Sequence, residues 1–248
     1  MESVIIVEKL SKSYGSCVAV DTISFAVERG TVFGLLGANG AGKSSMIECI
    51  TGTKKPDDGS VSILGMDPVR SRKQLFERVG VQFQETGYQE QIKVNELCEE
   101  ISSLYQEPAD YHDLLSKFGI ADKGSSFVKE LSGGQRQRLF IVLALIPEPE
   151  VVFLDELTTG LDARARRAVW KILAKLKSKG LTIFLTSHFM DEVEVLCDRI
   201  CILKSGKSVF EGTVAEAIEG SPYEKLEDAY LWYTGEEKDE DEDVSDHA

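Results

Sequence analysis

Residues 37 to 44 read Gly37-Ala38-Asn39-Gly40-Ala41-Gly42-Lys43-Ser44, a G-x-x-x-x-G-K-S pattern that Ser45 extends. The apolar run Thr31-Val32-Phe33-Gly34-Leu35-Leu36 precedes it, and a helical pattern from Ser44 to Ile50 follows. A strand must therefore give way to a helix across a glycine-rich turn, which is a junction of α/β sheets. Glycines let the backbone wind tightly, so successive N–H groups point inward at an anion. The helix N-terminus adds unpaired N–H groups and its dipole. Lys43 supplies a point charge suited to β- and γ-phosphates, and Ser44 a hydroxyl suited to Mg²⁺. The plainer reading, a glycine turn with a surface lysine, does not explain the flanking strand and helix.

About ninety residues on, Leu131-Ser132-Gly133-Gly134-Gln135-Arg136-Gln137-Arg138-Leu139 places a serine and two glycines before the apolar run Leu139 to Ile146. Ser132 is a natural N-cap, and Gly133 and Gly134 open that helix end to a ligand. One triphosphate lies comfortably in one glycine loop. The second anion-ready helix end is surplus unless it serves another chain's nucleotide.

These two segments resemble the phosphate loop and signature sequence of ABC-type ATPases, the nucleotide-binding subunits of ABC transporters. The resemblance runs from about Val4 to Gly235. It implies a mainly parallel P-loop NTPase core sheet (an α/β fold) with an antiparallel β edge subdomain and an inserted α-helical subdomain at about 85–150. It also implies that two subunits sandwich two ATP molecules, each held by the phosphate loop of one and the signature of the other. Residues 1–235 would form the ATPase domain and 236–248 an acidic tail.

The residues themselves agree with that organisation. Short strands are expected at 3–9 and 23–28, at Ser60 to Leu64 after the turn Pro56-Asp57-Asp58-Gly59, and at Val79 to Phe83. From about Glu85 to Glu130 the pattern is helical and polar. Val151-Val152-Phe153-Leu154 and Leu181 to Thr186 read as strands buried on both faces, with a helix from Ala163 to Lys179 between them. Arg199 to Leu203 and Lys207 to Glu211 close the sheet. Fully apolar strands alternating with helices argue for a parallel sheet.

The strand Val151 to Leu154 ends in Asp155-Glu156, where ligands bind in open α/β sheets. Asp155 would hold Mg²⁺, and Glu156 would orient and deprotonate the attacking water. Phosphoryl transfer asks mainly for positioning and charge neutralisation. The resemblance adds further roles. His188 matches the switch histidine that reaches the γ-phosphate and steadies Glu156. Gln84 matches the glutamine that touches Mg²⁺ and the water, with Gln82 a near competitor. Tyr14 matches the aromatic that stacks on adenine. Asp162 matches a loop that crosses the dimer interface, and equally reads as the N-cap of the next helix. The family usually has proline after the Asp-Glu pair, whereas this chain has Leu157.

The net charge is −14, and half of it lies in 236–248. An acidic body argues against a nucleic-acid partner and against direct contact with anionic lipid. The tail has almost nothing apolar to bury, so it reads as disordered. No apolar run reaches bilayer length, and the N-terminus lacks a signal-peptide pattern. The chain would therefore meet a membrane only through transmembrane permease subunits, at its cytoplasmic face, as a homodimer or paired with another such ATPase. Five scattered cysteines read as buried thiols of a reducing compartment. The stretches Leu226-Glu227-Asp228-Ala229-Tyr230-Leu231 and Thr186-Ser187-His188-Phe189-Met190-Asp191-Glu192 are similar to the type-2 exporter branch, so export is the expected direction. The rival is an ABC-type ATPase with no membrane partner, such as an iron–sulfur assembly component.

Overall fold

The computed structural model describes residues 2–83 and 87–236. Gln84 and all of the acidic tail beyond Glu236 lie outside the described residues, and with them the expectations placed there.

Two sheets share one core. In the first, β1 (Ser3–Tyr14) pairs antiparallel with both β2 (Cys17–Glu28) and β4 (Asp58–Ile63). In the second, β5 (Val79–Gln82), β6 (Val151–Leu154), β7 (Thr182–Thr186), β3 (Val32–Gly37) and β8 (Arg199–Lys204) run parallel in that order. β9 (Lys207–Gly212) closes this sheet as an antiparallel hairpin with β8. Every residue of β3, β6 and β7 is buried, as continuous apolar strands covered on both faces must be. The expected α/β sheet with an antiparallel edge is thus the observed one.

β2 buries Ile23, Phe25 and Val27 in alternation, and this face lies on the parallel sheet. Phe25 of β2 stacks on Phe33 of β3 at 4.9 Å, Phe33 on Phe184 of β7 at 5.5 Å, and Phe184 meets Phe153 of β6 at 5.3 Å. Each buried ring contributes about 1.5–3 kcal/mol by transfer alone, so this ladder ties the two sheets together.

The helices α1 (Lys43–Ile50), α2 (Arg72–Leu75), α3 (Val94–Ser102), α4 (Tyr111–Lys117), α5 (Gly133–Leu145), α6 (Ala163–Lys177), α7 (Met190–Leu196), α8 (Val214–Glu219) and α9 (Leu226–Thr234) complete the chain. α3, α4 and α5 gather Val94, Leu97, Leu114, Leu115, Leu139 and Ile141 into one apolar cluster that continues onto β6 and β7. Among the described residues no helix is long and apolar enough to cross a membrane.

Three expectations are corrected. β1 and β2 are each 12 residues, not short, because antiparallel pairing carries polar residues such as Lys12 and Ser13 through bulges that alternation does not reveal. The block at 85–130 is less helical than its pattern suggests: among its described residues irregular chain joins α3 to α4, and only two 3₁₀ turns, Ala121–Lys123 and Val128–Glu130, follow α4 before α5. Cys17 is exposed, at the β1–β2 turn, whereas Cys49, Cys98 and Cys201 are buried and Cys197 is half-buried.

Candidate functional site

The site forms where β3, β6 and β7 end side by side. At the end of β3 the chain turns through Ala38 to Gly42, with the Ala41 amide donating to Ala38 O at 3.1 Å and Gly206 N–H to Ala41 O at 3.0 Å. Gly42 has φ +108°, and a Cβ there would sit 2.0 Å from the Ala19 carbonyl oxygen. Only glycine fits that approach. α1 begins at once with Lys43, whose ammonium donates to Gly37 O at 2.7 Å and Ala38 O at 3.0 Å. The side chain is buried, and burial lowers its pKa against the opposing pull of Glu156 and Asp155.

At the end of β6, Asp155 is buried, and burial raises its carboxyl while a bond from Thr186 works the other way. Thr186, the last residue of β7, is fully buried; its hydroxyl donates to Asp155 Oδ1 at 2.6 Å and accepts from the Glu156 amide at 2.7 Å. Glu156 takes φ +51°, uncommon for a non-glycine residue, and this turns its backbone out of the strand. Glu156 Oε1 lies 3.3 Å from His188 Nε2, a hydrogen bond for the tautomer carrying its proton there. Thr159 Oγ1 lies 3.4 Å from Glu156 Oε2.

A cleft of about 640 Å³ opens between these ends, lined on one side by Asn39, Gly40, Gly42, Lys43, Ser44 and Ser45. Glu156, Thr159, His188 and Phe189 line the other side, and Cys17 and Ala19 close it from the edge sheet. The structure thus brings the expected loop residues, Glu156 and His188 together on one cleft. Tyr14 stands apart from this lining, at the exposed end of β1, with its ring centroid 5.1 Å from Lys54 Nζ and 5.6 Å from Lys12 Nζ.

Ser132, Gly133 and Gly134 do not line the cleft. Ser132 caps α5 by accepting from the Gln135 amide at 3.3 Å, and Gln135 Oε1 accepts from Ser132 N–H at 3.0 Å. A Cβ on Gly134 would meet Leu161 Cδ2 at 3.1 Å and Gly160 O at 3.2 Å, so the signature end of α5 packs closely on the loop before α6. That loop ends in Asp162, which caps α6 by accepting from Arg164 N–H at 2.9 Å and Ala165 N–H at 2.8 Å. Both readings of Asp162 remain compatible with this geometry.

Sequence reasoning missed the parts that support the site. Thr186 fixes both carboxylate residues, yet a threonine in an apolar strand looks ordinary. Gln137, one turn into α5, donates to Glu156 O at 3.2 Å and Leu157 O at 2.9 Å, and so ties the signature helix to the carboxylate loop. Leu157 is fully buried in the apolar cluster of the helices, and its amide donates to Thr186 O at 3.4 Å. A proline would lack that donor.

The donor set fits a nucleotide triphosphate with Mg²⁺. Backbone amides of a glycine loop and Lys43 face one wall, and a hydroxyl from Ser44 with one buried carboxyl from Asp155 suits an ion that keeps several waters and shares phosphate oxygens. Among the described residues no cluster of three or more His, Cys, Asp or Glu side chains could by itself hold a metal ion.

Comparison with known proteins gives the same direction. A family model described as "ABC transporter" matches residues 20–159. The chain is 38% identical over 235 residues to a Nod factor export ATP-binding protein I of Mesorhizobium japonicum, covering 88% of this chain and 69% of that one. It is 37% identical over 220 residues to a daunorubicin resistance ATP-binding protein of Streptomyces coeruleorubidus, covering 87% and 70%. Among solved structures, an ATP-binding subunit of an ABC transporter superposes with a TM-score of 0.86 at 28% identity, covering 94% of this chain and all of that one.

Proposed function

The chain belongs to the ABC transporter ATP-binding family, and from that premise we propose that its cleft hydrolyses ATP with Lys43, Asp155, Glu156 and His188 in distinct roles. The observation that carries the reading is the convergence of the glycine loop, Lys43, Glu156 and His188 on one cleft. Lys43 and the amides of Gly40 and Gly42 bind the phosphate chain, with Asn39 and Ser45 beside them. Ser44 and Asp155, together with Gln84, would hold Mg²⁺, which would supply charge neutralisation at the phosphate oxygens. Glu156 accepts the proton of the attacking water, and His188 orients Glu156 and the γ-phosphate. Tyr14 stacks on the base from beyond Cys17 and Ala19.

Ser132, Gly133, Gly134 and Asp162 serve the nucleotide of a second subunit, a reading supported by their lying outside the lining of the chain's own cleft. Residues 1–235 act as one nucleotide-binding domain, with the helical insert at about 85–150 as the face for the transmembrane subunits. The names of the relatives, one for Nod factor export and one for daunorubicin resistance, support export as the direction. The subunit works from the cytoplasmic face of the membrane through those partners.

Steady-state hydrolysis of ATP with Mg²⁺ by wild type and by Glu156→Gln tests the reading. The variant should lose about 10²- to 10⁴-fold in kcat and keep ATP binding. Equal rates would remove Glu156 from the mechanism.

A further inference from the structure

Glu192 lies in α7, four residues after His188, and its side chain is fully buried. Its Oε1 accepts from the indole Nε1 of Trp170, on α6, at 2.7 Å. Its Oε2 is enclosed without a hydrogen-bond partner, and so is the hydroxyl of Thr158, in the loop that joins Glu156 to Asp162. The hydroxyls of Ser187 and Thr158 lie close enough to hold the Glu192 carboxyl down without reaching full hydrogen-bond geometry, but burial outweighs them and raises it. A neutral carboxyl in that pocket can donate from Oε2 towards Thr158, which would satisfy both enclosed atoms at once.

The surroundings point the same way. Arg166, also on α6, stacks on the Phe189 ring at 4.4 Å and reaches Asp191 Oδ1 at 3.5 Å. The Phe189 amide donates to Ser187 Oγ at 3.0 Å. The turn Ser187-His188-Phe189 is therefore held between Arg166 outside and Glu192 inside. Burying a carboxyl is a costly way to fill space, and an apolar side chain would pack α7 on α6 as well. An apolar side chain could not hold the Trp170 indole and face the Thr158 and Ser187 hydroxyls.

We propose that Glu192 is a positioning residue for hydrolysis, joining α6, the Thr158 loop and the His188 turn so that His188 stays within reach of Glu156. The proposal rests on the reading of Glu156 and His188 given above. It acts on the reacting groups only through others, so it should affect the chemical step and leave nucleotide binding alone.

The test uses the full chain carrying Trp232→Phe, which makes Trp170 the sole tryptophan. Glu192→Ala, Glu192→Gln and Glu156→Gln are compared for kcat, KM for ATP and Trp170 emission. Glu192→Ala should lower kcat by about 10- to 100-fold with KM unchanged, the scale of a small misplacement of reacting groups. Glu192→Gln keeps an acceptor for Trp170 and a donor for Thr158, and should restore most of the rate. Trp170 emission should shift in the alanine variant and not in the glutamine one. An unchanged kcat in Glu192→Ala, a raised KM with normal kcat, or no rescue by glutamine would each overturn the proposal. If Glu192→Ala does not fold, Trp170→Phe removes the donor and keeps a ring; wild-type kcat in that variant overturns it too. Glu156→Gln separates the two layers. An inactive Glu156→Gln beside a normal Glu192→Ala defeats the positioning role alone, whereas an active Glu156→Gln defeats the reading of the site and the positioning role with it.

Discussion

Lys43 pays for its burial with a lowered pKa, and its ammonium is turned onto two carbonyls of its own loop. Phosphate oxygens are better acceptors than carbonyls, because a charge-assisted bond is worth about 1.5–3 kcal/mol. Lys43→Ala should therefore weaken ATP binding by roughly 10- to 150-fold in Kd, measured by titrating a fluorescent ATP analogue. Equal affinity would mean that the loop is not the nucleotide site. Tyr14 belongs to another class of contact. Its ring is exposed beside Lys12 and Lys54, remote from the carboxylates. Stacking holds ground state and transition state about equally, so Tyr14→Ala should raise KM for ATP with little change in kcat. An unchanged KM would discard the stacking role. At this scale the sequence was legible where a residue's spacing is its signal, as in Gly42, Lys43 and Glu156. It was not legible at Thr186 or Gln137, whose partners come from other elements: the Glu156 amide and Asp155 for one, the Glu156 and Leu157 carbonyls for the other.

Elements were readable to the extent that burial decided them. β3, β6 and β7 are enclosed on both faces and announce themselves as apolar runs, down to a start at Thr182 rather than Leu181 for β7. β1 and β2 are half exposed, and their length follows from pairing with each other, which alternation records only in part. Helix ends were legible where a cap was. Asp162 accepts from Ala165 and Arg164 amides and sets the start of α6 next to the signature end of α5. The Ala165 bond is the main cause holding the Asp162 carboxyl below its ordinary value, with the Arg164 bond adding to it. The folded pKa is thus below the unfolded one, so the cap's contribution is fully present above the unfolded value and is lost as pH falls through the folded pKa. Acidifying through the carboxylate range should speed amide exchange of Arg164 and Ala165 relative to the middle of α6. Asp162→Ala should show the faster exchange at neutral pH and lose its dependence on that titration. Protection that is the same in both proteins at every pH would mean that the carboxylate does not hold this helix end.

The molecule has a cleft with a phosphate loop and, outside the lining of that cleft, a capped helix start with two glycines that its own cleft does not use. That separation makes sense if two copies meet head to tail, each supplying Ser132, Gly133 and Gly134 to the other's nucleotide. Gln137 gives the arrangement a consequence within one chain, since it bonds the signature helix to the Glu156 and Leu157 carbonyls. A partner's nucleotide pressing on the start of α5 would then bear on the loop that carries Glu156. Glu156→Gln keeps the shape of the side chain and removes its charge, so ATP should still bind and still bridge two subunits. Loss of a positioned base slows hydrolysis by about 10²- to 10⁴-fold, and the bridged state should accumulate. Ligand held across an interface stabilises it by mass action, so the dimer should grow with ATP concentration. Size-exclusion chromatography of the variant with ATP and Mg²⁺ should show a species of twice the mass, which wild type passes through too briefly to display. Adding Ser132→Arg to Glu156→Gln fills the helix start and should return the protein to a monomer that binds ATP as before. A slow variant that stays monomeric with ATP, alone and with its transmembrane partners, would reduce Ser132 to the helix cap that one chain shows it to be.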